Sequence, residues 1–99
     1  RERLVIPPAP ESTARLAGHY KSNGLGELTV HANGTDRVFD VGEWKSAVAS
    51  RKNDDGTMSM ITIDPGMSSD FEFVIGEKNG QKTLTLRDMQ HEYEFVEAP

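Results

Sequence analysis

Seven serines are the first residues to weigh for chemistry. An acyl-transferring serine needs a base within hydrogen-bond reach and donors aimed at the developing oxyanion. The sequence contains no Gly-x-Ser-x-Gly, so it lacks the nucleophile elbow of α/β-hydrolases. No serine has a lysine three places on; those positions hold Arg15, Leu25, Ala49, Asn53, Thr62, Phe71 and Glu72. Tyr20-Lys21-Ser22 has the Tyr-x-Ser form through which a tyrosine can activate a serine, but the Ser-x-x-Lys it would serve is missing. Serine catalysis therefore has no complete set of residues here.

The other ionisable groups are equally scattered. His19, His31 and His91 form no i, i+2 or i, i+4 pair of the kind that presets a metal site. His31 and His91 could meet only across strands, and otherwise read as solvent-facing or rim residues. Glu92 and Glu94 share one face of an alternating segment, the arrangement an acid–base pair needs, and equally that of an outward acidic face. Asn53-Asp54-Asp55-Gly56 resembles a piece of a calcium loop without its spaced ligands or closing glutamate, and reads as a turn. Gly24-Leu25-Gly26 opens a nucleotide-loop pattern, yet Thr29 stands where the third glycine belongs and a strand follows. The sequence thus assigns no catalytic residue, metal ligand or cofactor.

The elements that would position any site are strands. Asn-Gly occurs at 23–24, 33–34 and 79–80, and Asp55-Gly56 and Asp64-Pro65-Gly66 add two more turn signals. Such pairs tolerate positive φ and favour tight hairpins. Between them run segments of period two: Glu27–His31, Phe71–Ile75, Lys82–Arg87 and His91–Phe95. Alternation of this kind gives a strand one buried face. The pattern predicts about eight strands, near 18–22, 25–32, 36–42, 43–50, 57–63, 70–77, 81–88 and 90–96. Facing is ambiguous over Ala47-Val48-Ala49, and Gly42 is either a bend or the loop between the third and fourth strands. Pro10–Ala17 predicts one short helix, with Ser12 or Thr13 as hydroxyl caps and Gly18 beyond its end.

The fold class expected is all-β: a single antiparallel up-and-down barrel of short strands with one short N-terminal helix, the alternative being a β-sandwich. Residues 1–10, with prolines at 7, 8 and 10, read as a stiff connector, and 11–99 as the barrel domain. The inward set is Tyr20, Leu28, Val30, Phe39, Val41, Trp44, Met58, Met60, Phe71, Phe73, Ile75, Leu84, Leu86, Tyr93 and Phe95. An eight-stranded barrel is wide enough for side chains to fill it or for one small ligand. Large inward groups favour filling. If a pocket or interface exists, Phe39, Trp44, Met58, Met60 and Tyr93 are its candidates, since Met adapts and Trp and Tyr carry polar handles.

Composition narrows the classes further. The chain has 99 residues and a formal charge of −5, which argues against nucleic acid, whose phosphates call for a basic footprint. The imbalance lies in the second half: residues 1–49 hold six basic and six acidic groups, residues 50–99 five and ten. With no cysteine, disulfides, thiolate metal sites and cysteine nucleophiles are excluded. Apolar runs such as Leu4-Val5-Ile6 are too short for a membrane-spanning helix. Opening on Arg1, without a basic-then-apolar leader, the chain reads as a trimmed or excised product with something attached before the connector.

Three short motifs carry a family resemblance. Leu16-Ala17-Gly18-His19-Tyr20, after a proline-bearing connector and short helix, resembles the Leu-x-Gly-x-Tyr opening of small lipocalin-like domains. Those domains lie C-terminal to serine β-lactamase-like hydrolases, the penicillin-binding-protein, D-aminopeptidase and esterase group. Gly26-Glu27-Leu28-Thr29-Val30 is similar to their Gly-x-Leu-x-Val second strand, and Tyr93-Glu94-Phe95 to their aromatic last strand. The aromatic-rich middle usual in that group is reduced here to Phe39 and Trp44. The resemblance implies a non-catalytic accessory domain of a periplasmic or secreted hydrolase, packed on the catalytic domain and shaping access to its cleft. No catalytic residue carries over, because the family's Ser-x-x-Lys lies in the other domain. The alternative is a free-standing lipocalin-like binder of a small hydrophobic ligand.

Overall fold

A computed structural model describes residues 4–64, 71–87 and 91–99. After a four-residue helix α1 (Pro10–Thr13) come eight strands: β1 (His19–Ser22), β2 (Gly26–Asn33), β3 (Asp36–Asp40), β4 (Lys45–Lys52), β5 (Met58–Thr62), β6 (Glu72–Lys78), β7 (Gln81–Arg87) and β8 (Glu92–Glu97). Each pairs antiparallel with the next, and β1 pairs with β8 through Tyr20–Glu97 and Lys21–Val96, closing a barrel. Of the expected strand residues, 70, 88 and 90 lie outside the described residues, as do Pro65-Gly66, Ser68 and Ser69. The architecture is the expected barrel rather than the alternative sandwich, with strands within two residues of the expected limits elsewhere.

Register follows from the buried face. Tyr20 sits opposite Leu28, Val30 opposite Phe39, Met60 opposite Phe73, and Leu84 opposite Phe95, so the apolar halves of neighbouring strands coincide. A one-residue slip at any seam would turn a whole apolar row outward. All fifteen expected inward residues lie in the core or pack against it, joined by Val48, Leu16 and Ala17. The fourth strand resolves its ambiguity by facing Val48 inward between Ser46 and Ser50, two small polar residues that are also buried.

The meander gives the barrel two different ends. One carries the β2–β3, β4–β5 and β6–β7 turns and is covered by α1. Ser12 Oγ there donates to Met58 Sδ at 3.2 Å, and Lys82 Nζ donates to the Leu16 carbonyl. The helix is shorter than the sequence signals suggest, and its N-cap is Ala9 rather than a hydroxyl residue. Proline at the first helical position needs no N–H partner, while Ser12 serves better as a buried donor than as a cap. The described part of the connector lies along β4. Val5 and Ser50 exchange two backbone hydrogen bonds, at 2.8 and 3.1 Å, beyond the point where β3–β4 pairing stops at Val38–Ala47. Ser50 Oγ also accepts the Ala9 N–H at 2.9 Å.

Candidate functional site

Among the described residues, the opposite end of the barrel is left open. Here the β1–β2 turn and the 41–44 turn meet the start of β6 and β8 around a cleft of about 470 Å³. Its wall is aromatic: Trp44, Phe71 and Tyr93 at the mouth, Phe73 and Phe95 at the floor. Apolar lining with few polar groups, in the mouth of a β-barrel, is a common form of small-molecule site.

The turn that presents Trp44 is built locally. Gly42 takes a φ of 92°, a conformation that suits glycine because it has no Cβ. The Asp40 carboxylate accepts the Gly42 N–H at 2.9 Å, and the Val41 N–H donates to the Trp44 carbonyl at 3.0 Å. That backbone bond to Gly42 is the main cause holding the Asp40 carboxyl below its usual range, helped by His31. Gly42 is thus the loop between the third and fourth strands. Trp44 then lies almost parallel to Phe71, with ring centroids 5.4 Å apart and planes 17° apart.

Aromatic contacts run from the mouth into the core. Trp44 lies 6.4 Å from Phe73, which meets Phe95 at 6.2 Å and Phe39 edge-on at 5.1 Å. Such contacts fix the ring orientations beyond what simple burial would. The cleft thus ends on Phe73 and Phe95, two fully buried core side chains.

Of the five candidates read from sequence, the structure brings Trp44 and Tyr93 together at the mouth. Phe39 is wholly buried in the core, and Met58 and Met60 lie there too, Met58 beneath α1. Leu25, Val41, Glu43 and Phe71 line the cleft without having been singled out as site residues. Leu25 had a readable signal: an exposed leucine between two glycines in a turn. Glu43, the only charged residue in the lining among the described residues, had none beyond its place before Trp44.

The remaining chemical candidates are dispersed. Tyr20 is buried and its hydroxyl accepts the Ala17 N–H at 2.8 Å; burial pushes the phenol above its ordinary value. His31 faces Asp40 at 3.4 Å on β2, whereas His91 lies beside Tyr93 near β8, on a strand that does not adjoin β2. His19 joins Glu27 Oε1 (2.9 Å) and the Pro99 carbonyl (3.1 Å). Glu92 and Glu94 reach Arg87 and Lys78 on the outer face. Asp55 Oδ1 accepts both the N–H and the hydroxyl of Thr57, closing the β4–β5 turn. Among the described residues, no group of three or more His, Asp or Glu side chains is placed to hold a metal ion. Comparison with known protein families, curated proteins and solved structures finds no match to this chain.

Proposed function

We propose that this chain is a non-catalytic accessory domain of an extracytoplasmic serine β-lactamase-like hydrolase, packing on the catalytic domain so that its open end shapes substrate access. The observation that carries this reading is the asymmetry of the barrel. One end is covered by α1, and the other holds an aromatic recess with exposed Leu25 at its rim. An apolar recess suits contact recognition of a substrate or a neighbouring domain. The motifs of the resemblance support it as well. Leu16 and Ala17 pack on the core, the Gly18 carbonyl accepts the Val30 N–H, and Tyr20 pairs with Leu28, so two of them pack together.

Reading the coding DNA upstream of the Arg1 codon tests the proposal. An in-frame stretch of several hundred codons containing Ser-x-x-Lys, then Tyr-x-Asn or Tyr-x-Ser, is the expected result. A start codon or signal peptide immediately before Arg1 would discard it. A second reading, a free-standing binder of a small hydrophobic ligand, is favoured by the aromatic lining of the cleft. It predicts quenching of Trp44 fluorescence by a hydrophobic probe, and the absence of quenching at saturating probe would reject it.

A further inference from the structure

The cleft has a chemical bias beyond its apolarity. Among the described residues, Glu43 is the one charged residue in the lining, it is exposed, and it makes no hydrogen bond or ion pair. The next residue, Trp44, is stacked on Phe71, so an indole and a carboxylate line the same mouth. Indole faces attract ammonium groups through their quadrupole, and a carboxylate beside them adds a Coulombic partner. The overall charge of −5 disfavours an anionic ligand at the same place.

From this geometry we infer that the open end selects cationic amphiphiles: molecules with an aromatic or aliphatic body and one ammonium group. The body lies against Phe71 and Tyr93, and the ammonium sits between the Trp44 face and Glu43. The inference rests on reading the open end as a recognition surface, which both proposed functions share. Because Glu43 is solvated, its contribution is modest. Together the carboxylate and the indole face should give roughly a three- to ten-fold preference over a neutral analogue.

Three ligands with one skeleton test it: 4-phenylbutylammonium, 4-phenylbutanol and 4-phenylbutyrate, titrated into the full chain while Trp44, the only tryptophan, is observed. The expected order is ammonium tightest, alcohol intermediate and carboxylate weakest. The gap between ammonium and alcohol should shrink in high salt and narrow in Glu43→Gln, whose circular dichroism should match the parent. Equal binding of ammonium and alcohol, or a preference undiminished in Glu43→Gln, would overturn the inference. Failure of all three ligands to bind would overturn the recognition reading along with it.

Discussion

Replacing Tyr20 by Phe isolates one hydroxyl in the motif that carries the family resemblance. The ring is fully buried and stays so in Phe, so packing is unchanged to first order. What is lost is the acceptor for the Ala17 N–H, now held at 2.8 Å where the chain leaves the helical segment and enters β1. Leaving a donor unsatisfied costs about 1–3 kcal/mol. Ala17 is only half-buried, so water can partly replace the partner and about 1–2 kcal/mol is the appropriate range. For a domain of this size each kcal/mol moves the melting temperature by roughly 4–8 °C, which gives a drop of about 4–16 °C. Thermal and urea unfolding monitored by Trp44 fluorescence would measure it, with the urea slope unchanged. A second signature comes from the phenol itself. Its folded pKa is raised above 10.0, so the parent loses stability as pH rises from that value through the folded one. Tyr20→Phe should lack that part of the alkaline loss. A melting temperature within about 2 °C of the parent would refute the assignment of this hydroxyl as a structural acceptor.

Other perturbations separate the forces at work. Gly80 has a φ of 81° with no atom within 4 Å of an added Cβ, so Gly80→Ala should cost about 1–2 kcal/mol through the backbone alone, measurable by urea unfolding. On the outer face, Glu72 Oε2 accepts from Arg51 at 2.7 Å and from fully buried Ser59 at 2.6 Å. Glu72→Ala should destabilise by about 1–3 kcal/mol, whereas Glu92→Ala, which breaks an exposed 3.4 Å pair with Arg87, should change stability by less than about 0.5 kcal/mol. The Pro99 carbonyl and then the Glu27 carboxylate raise the pKa of His19. Its contribution is thus complete below pH 6.5 and lost as pH rises through the folded value. Asp40 and Asp55 have lowered values, so their contributions are lost only on acidification below 3.8 and leave that window clear. Melting temperatures of the parent and His19→Gln should therefore converge as pH rises above 6.5, and parallel curves would exclude the effect.

The fold was legible because turn chemistry and period-two alternation act locally and agree with one another. Asn79-Gly80 illustrates this: both residues take positive φ, at 54° and 81°, and join β6 to β7 as the dipeptide suggests. What escaped the sequence were features set by distant partners. The helix stops at Thr13, and Ser12 turns to Met58, 46 positions away. Ser50 reads as an ordinary strand residue, yet it anchors both Val5 and Ala9. The site was half-readable for the same reason. Trp44 and Tyr93 stand out by residue type, whereas Phe39, Met58 and Met60 share that chemistry but lie in the core or toward the covered end. Only strand direction in the closed barrel separates the two sets. Glu43 gains its place from the turn that Asp40 and Gly42 shape, a matter of three-dimensional geometry.

If the aromatic end is the working face of the barrel, ligand contacts should localise there. The most direct test is a backbone amide NMR titration of the chain with neutral 4-phenylbutanol, which reports location independently of charge. The account predicts concentration-dependent shifts grouped at Leu25, Val41, Trp44, Phe71 and Tyr93, with Ser12, Met58 and Ile75 at the covered end unmoved. Shifts centred on the α1 end, or none at any concentration, would contradict it.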